Sequence, residues 1–241
     1  MHITVISSCT GKKVTSSADQ LTREDFASGE DHVVQRTKAL EEFTRPAEQM
    51  YTGQHHVRLM RGVKAVRELG FATLDLWILS AGYGLIPAGK NVAPYDCTFS
   101  DMGNAELRTW AKALSIPADA QDILQRPFDL GIVLLSNDYL AACQLPPNLE
   151  LGGPTLFFSS FSAAEDLQEI PRARAVPLGN AEASRFSRPL VSLKGELGGR
   201  VLSLLAAADC EDHAQSLMRH VLNPATDVYN VLEQRSVDLP V

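Results

Sequence analysis

What the chain has little of narrows its class. Its 241 residues hold four cysteines, Cys9, Cys97, Cys143 and Cys210, with no Cys-x-x-Cys pair among them. That spacing gives neither a local zinc knuckle nor a dithiol redox motif; reduced thiols are expected, with Cys143 as plain core. No apolar run reaches the roughly 18 residues that a membrane span needs. The opening Met1-His2-Ile3-Thr4-Val5-Ile6 reads as a strand and lacks the basic n-region of a signal peptide. A cytoplasmic protein is the expectation. Positive charge is also scarce: 22 Lys and Arg against 29 Asp and Glu leave a net charge of −7. Such a balance argues against an indiscriminate nucleic-acid coat, because phosphate binding depends on clustered cations. It leaves room for one local basic cleft on an acidic body. There is no Gly-x-Gly-x-x-Gly, no Gly-x-Ser-x-Gly and no His-Glu-x-x-His. A nucleotide-cofactor oxidoreductase, an α/β-hydrolase and a zincin are therefore disfavoured, and neither cofactor nor metal is expected.

What is there builds one core. Apolar residues make up 45% of the chain, enough for a single α/β domain that needs no staples. Strands are expected at His2–Ser8, Leu74–Leu79, Leu130–Leu135, Thr155–Ser159 and about Ala173–Pro177. Helical spacing is found over Val33-Thr37-Leu40-Phe43, from Pro46, over Leu59-Val63-Val66-Leu69 and over Ala105–Leu114. A short helix should follow Ser136, and a strong one should run from about Val191 to Ala207. Weaker helices near 211–222 and 225–235 finish the chain. Gly70 is placed for a left-handed helix cap. Residues 14–31 read as a mobile loop, and the Pro- and Gly-rich stretch from Pro87 to Gly103 as a second long loop. Strands alternating with helices predict an α/β fold: a mostly parallel central sheet of about five strands, flanked by helices. Residues 1–208 form that domain, and 209–241 a C-terminal helical tail packed on it. A monomer is favoured.

In such sheets ligands sit beyond the carboxyl ends of the strands, which makes the loops there the candidates. Ser8-Cys9-Thr10-Gly11-Lys12-Lys13 offers hydroxyls, backbone N–H groups and two cations to an anion, although it reads equally well as a solvated turn. Ser80-Ala81-Gly82-Tyr83-Gly84 suggests close backbone approach and an aromatic at the sheet edge, for stacking or hydrogen bonding. Pro94-Tyr95-Asp96 could wall a flat pocket with a carboxylate beside it, or form an Asx turn. Asn137 could read a base edge but reads first as a helix cap. His55 and His56, after Tyr51-Thr52-Gly53, point in different directions on a helix. They read as a solvated helix start rather than as metal ligands, and His213 and His220 as surface.

Taken together, Ser8-Cys9-Thr10-x-Lys12-Lys13, Pro46-Ala47-x3-Tyr51-x-Gly53, Leu79-Ser80-Ala81-x-Tyr83-Gly84-Leu85 and Pro94-Tyr95-Asp96 resemble a family of small bacterial and phage proteins. These are similar to the peroxide-stress YaaA proteins. The likeness spans about the first 140 residues, with an echo at Leu193-Lys194-Gly195. It implies a uracil-DNA-glycosylase-like sheet, and some relatives excise modified bases from phage DNA in antiviral defence. The Gly-Gln-Asp-Pro-Tyr-His motif of that superfamily is absent, and Pro94-Tyr95-Asp96 echoes it. The resemblance thus implies a DNA glycosylase acting on a modified base, such as glucosylated hydroxymethylcytosine. Asp96, Tyr95 and Asn137 would be catalytic, and Ser8, Cys9, Thr10, Lys12, Lys13, Tyr51, Ser80, Tyr83 and Lys194 would bind the DNA. The alternatives are a non-catalytic DNA-binding stress protein and an enzyme of free nucleosides.

Overall fold

Alternation along the strands decides which residues face which layer. The structure, a computed structural model, describes residues 1–15 and 19–234. Its first half runs β1 (His2–Ser8), α1 (Arg23–Ala27), α2 (Glu30–Ala39), β2 (Arg45–Pro46), α3 (Ala47–Met50), α4 (Gln54–Arg67), β3 (Thr73–Ser80), β4 (Gly84–Pro87) and β5 (Asn91–Val92). It continues with α5 (Asn104–Ala113), α6 (Ile116–Gln125), β6 (Leu130–Leu134), α7 (Asn137–Cys143), β7 (Thr155–Ser159) and α8 (Phe161–Leu167). The remainder is β8 (Ala173–Pro177), α9 (Asn180–Arg185), α10 (Leu190–Ala206), α11 (Glu211–Leu222) and α12 (Val228–Gln234). The main sheet has six strands in the order β4-β3-β1-β6-β7-β8. The five predicted strands are all present and mutually parallel. The sixth, β4, pairs antiparallel with β3, with Ile78 opposite Ile86. Gly84, at φ +74°, makes that reversal possible, since few other residues adopt this backbone without strain.

In β1, Ile3 and Val5 face a layer containing α4, α10 and the C-terminal helices, together with Leu76, Ile78, Ile132, Leu134, Leu156 and Phe158. Ile6 faces the opposite layer with Leu79, Val133 and Phe157, against α5, α6, α7 and α8. Each fully buried Val, Leu, Ile or Phe contributes about 1.5–3 kcal/mol, whereas a surface ion pair gives at most about 1 kcal/mol. The strands, more than the charge pattern, therefore set this architecture. Val5, Ile6, Leu76, Ile78, Val133, Leu134 and Phe157, the predicted core, are all buried.

The α4–α10 contact is backbone to backbone. A Cβ on Gly195 would lie 1.9 Å from the His55 carbonyl oxygen, one on Gly199 2.6 Å from that of Arg58, and one on Gly62 2.3 Å from that of Gly199. Glu196 closes the contact by pairing with Arg58 and Arg200, both at 2.8 Å. The C-terminal helices pack on the same body. Ala214, Val221, Val228 and Leu232 are buried, and the Met1 amino group meets Glu211 at 2.8 Å. Arg174 donates to the carbonyls of Asn223 and Thr226, both at 2.6 Å. The last part of the expected tail, 235–241, lies outside the described residues.

Several expectations are corrected. Within 14–31, residues 19–31 are not a mobile loop but carry α1 and the start of α2. Leu21 bridges to Tyr95 in parallel fashion, and the buried Phe26 sits where a Cβ on Gly82 would come within 2.4 Å. Residues 16–18 of that stretch lie outside the described residues. Gly70 is not left-handed: α4 ends at Glu68 in the right-handed region, and the glycines with positive φ are Gly29 and Gly84. The stretch 87–103 is pinned by β5, which pairs with β2, and by a 3-10 turn at Phe99–Asp101. No helix of the described residues is long and apolar enough to cross a membrane.

Candidate functional site

The five parallel strands, numbered by sequence, lie in the order two-one-three-four-five, so the direction of winding reverses between β1 and β6. Loops leaving neighbouring strands part there and leave a crevice, the usual ligand position in doubly wound sheets. The crevice is a cleft of ≈ 750 Å³. The β1 loop gives it Ser8, Cys9, Thr10 and Gly11; the β6 loop gives Ser136, Asn137, Asp138 and Tyr139. Its apolar rim includes Leu190 and Val191, the latter 83% exposed, and His55 and Lys194 complete the wall. A second hollow of ≈ 710 Å³ runs between α7 and α8. Apart from Asn137 it takes no residue from the loops at the winding reversal, so the first cleft is the better candidate.

The β1 loop is held along the entry to α4. Val14 N–H donates to the Met50 carbonyl at 2.8 Å, and Thr52 N–H to that of Lys12 at 3.0 Å. Thr10 Oγ1 accepts the Gly53 N–H at 3.1 Å. A Cβ on Gly53 would come within 2.6 Å of Thr10 Cβ, which explains why Thr10 and Gly53 belong together. This pairing leaves Lys12 exposed outside the cleft lining and lays the Lys13 ammonium 4.2 Å from the Tyr95 ring centre. Burial lowers the pKa of Lys13, an effect that Cys9, Asp96 and Cys97 oppose.

Behind Cys9 lies a dry cluster of phenols. Tyr95 is 1% exposed; its hydroxyl accepts from Ser80 Oγ at 2.8 Å and lies 2.9 Å from that of Tyr51. Ser80 Oγ in turn accepts the backbone N–H of Gly82 at 3.2 Å and of Tyr83 at 3.0 Å. Tyr83 packs edge-on against Phe26 and Tyr95, and its hydroxyl accepts the Ala93 N–H at 3.1 Å. Burial holds Tyr51 and Tyr95 well above the ordinary phenol range, so both stay neutral. Cys9 forms the boundary, its sulfur 3.1 Å from the Tyr139 hydroxyl. Neither Tyr83 nor Tyr95 offers an open stacking face to the cleft. Asp96 is exposed, its backbone tied to Leu21 at 2.8 Å, and is not part of the cleft lining. Of the sequence candidates, the cleft thus gathers Ser8, Cys9, Thr10, Asn137 and Lys194. Tyr51, Ser80 and Tyr95 stand behind it, and Lys12, Lys13, Tyr83 and Asp96 lie outside its lining. Asn137 is the first helical residue of α7 rather than its cap; its Oδ1 accepts from Ser160 Oγ at 2.8 Å.

Two groups change the reading of the cleft. His55 and His56 do not form a solvated helix start: both are buried. Ser7 continues the Ile3-Val5 face toward α4, where His55 Nε2 lies 2.9 Å from Ser7 Oγ. His55 Nδ1 accepts the Gly195 N–H at 3.1 Å, which places the proton of a neutral ring on Nε2. Burial lowers the His55 pKa to about 3, so the ring is a donor and not a base near neutrality. His56 turns the other way, with Nε2 2.8 Å from the Glu48 carbonyl oxygen. Lys194 donates to the Leu135 carbonyl at 2.6 Å, and desolvation lowers its pKa to about 8.

Residues 33–146 match a family of unknown function (DUF6884). That stretch starts within α2 and ends just beyond α7, so it carries β3, β6, His55, Asn137 and Asp138 but not β1 or Lys194. No curated protein matches the chain. Among the described residues, no group of three or more His, Cys, Asp and Glu is placed to hold a metal ion.

Sequence reasoning missed α6, β4, α8, α9 and the burial of His55. The first had a signal, Pro117 in the first turn followed by Ala120, Ile123 and Leu124 at helical spacing. His55 had none, because the groups that close over it belong to β1 and α10.

Proposed function

We propose that the protein hydrolyses the N-glycosidic bond of a modified base in DNA, in the cytoplasm and in antiviral defence, and that the chemistry takes place in the cleft between the β1 and β6 loops. The observation that carries this reading is the set of groups in one cavity: a carboxylate (Asp138), an amide (Asn137), small hydroxyls and an apolar rim. An extruded base needs flat apolar contact and a partner for its edge. Leu190 and Val191 offer the first, and the Asn137 amide the second. The departing bond leaves positive charge on the sugar, which a carboxylate in a partly dry site stabilises far better than one in water. Asp138 lines the cleft and accepts from Ser100 Oγ at 3.2 Å, which aims the carboxylate. It takes the role for which the sequence offered Asp96. Exposed Lys12, at the edge of the β1 loop, is placed to meet a phosphate. The uracil-DNA-glycosylase-like character of the sheet belongs to the same proposal and is supported by the parallel strands and the position of the cleft.

DNA carrying ordinary, hydroxymethylated or glucosylated cytosine is incubated with the protein, then treated with alkali to break abasic sites. Strand breaks confined to a modified DNA are expected. Asp138→Asn should lower their rate on the order of a hundredfold, while Asp96→Asn leaves most of it. The reverse ranking would return the role to Asp96. The net charge of −7 favours a second reading, hydrolysis of free modified nucleosides, for which bulk DNA affinity is unnecessary. Base release from nucleosides with none from DNA would select it.

A further inference from the structure

The base-release proposal leaves Lys194 unused, yet it is an unusual group to find in a cleft. It stands on the first turns of α10, held by the glycine contact with α4, and its side chain lines the cavity next to Leu190 and Val191. No carboxylate of the described residues forms an ion pair with it, and its ammonium donates to the Leu135 backbone carbonyl at 2.6 Å. A lysine there without a counter-charge is either an anion anchor or a nucleophilic amine, because burial without a partner favours the uncharged form.

We infer that Lys194 is the nucleophile of a lyase activity on the abasic deoxyribose that base release would leave in the same cleft, an inference that rests on the base-release reading for its substrate. The Lys194 nitrogen attacks C1′ of the ring-opened sugar aldehyde, and the carbinolamine loses water to give a protonated imine. Loss of the C2′ proton to water then drives β-elimination. The C3′–O bond breaks and its electron pair leaves with the phosphate of the downstream strand. Water hydrolyses the remaining imine, frees the unsaturated aldehyde and returns the amine. No oxidant or metal enters the balance. With its pKa lowered to about 8, Lys194 has on the order of a tenth of its amine unprotonated near pH 7, against well under a hundredth for an exposed lysine. His55 beside it is neutral and adds no competing charge.

The test uses the full chain and an oligonucleotide with a preformed abasic site, so base release is not required. Sodium borohydride reduces the imine to a stable secondary amine, and a covalent protein–DNA band is expected on a denaturing gel. Peptide mass spectrometry should place the adduct on Lys194. Lys194→Arg keeps a cation in the cleft and should lose the band, which an anchoring role would not predict. No band with the unaltered protein, or an adduct mapped to Lys12, Lys13 or the Met1 amine, overturns the inference. If Lys194→Arg does not fold, the peptide map of the unaltered protein still decides. Base release without an adduct removes the lyase step alone, whereas an adduct without base release removes the glycosylase reading alone.

Discussion

Two regions at the same sheet edge share Cys9 and differ in almost everything else. On one side Tyr51, Ser80, Tyr83 and Tyr95 close on one another through hydroxyl hydrogen bonds and edge-on rings, with Tyr51 and Tyr95 almost fully buried. On the other, Asn137, Asp138, Lys194 and Val191 border open space. The closed side carries the aromatic motifs that stand out in the sequence, whereas Asp138 and Val191 on the open side belong to no motif. A short, ordered motif can thus mark a scaffold: a buried phenol must find a partner, and that requirement constrains sequence as strictly as chemistry does. The accessible groups are free of that requirement and leave less trace.

The largest expected effect tests what holds the open side in place. Gly195→Ala would put a methyl carbon 1.9 Å from the His55 carbonyl oxygen, forcing α4 and α10 apart. We expect a loss of about 3 kcal/mol in urea unfolding, at the upper end for overpacking. A loss below about 1 kcal/mol would show that the contact gives way easily, and that His55 and Lys194 are not rigidly held. Tyr95→Phe comes next. It strips one hydroxyl from the closed side and leaves those of Ser80 and Tyr51 short of a partner, at a cost of about 1–3 kcal/mol. Base release by the folded variant should be kept. Unchanged stability with lost base release would break the comparison, because the cluster would then belong to the chemistry.

A third test is one of pH and asks to which side His55 belongs. Its folded pKa is about 3 against 6.5 for the free side chain. Below pH 6.5 the unfolded chain therefore binds a proton that the folded chain refuses. Stability from this residue is intact above pH 6.5 and falls between 6.5 and 3, by about 1.4 kcal/mol per pH unit. His56, also lowered by burial, adds in the same direction. Urea midpoints measured from pH 7 to pH 5 should fall, and His55→Gln should flatten part of that slope. An unchanged slope would place a hydrated His55 with the open side.

The layers were legible because strand alternation is local: Ile3, Val5 and Ile6 announce their faces within a few residues. So was the parallel arrangement, which follows from strands separated by helices, although that pattern does not fix the strand order. The stretch 19–31 was not legible. Its polar composition hides two anchors, Leu21 and Phe26, whose partners Gly82, Tyr83 and Tyr95 lie far along the chain. His55 was misread for the same reason, since Gly195 stands 140 residues away. The site was half legible: the rule about strand ends found Ser8, Cys9 and Asn137, but it could not tell a tyrosine turned inward from one turned out.

The winding reversal has a consequence for how far the molecule can be divided. The matched stretch, 33–146, contains β3 and β6, which in this sheet never touch because β1 runs between them. Cut out alone, it would face itself across a gap one strand wide, lined with unanswered backbone donors and acceptors, and it would lack the α10 wall of the cleft. Any protein sharing just that stretch must therefore supply a middle strand and a closing helix from elsewhere in its own chain. In this chain those two pieces are β1 and α10, which bring Ser8, Cys9 and Lys194 to the cleft.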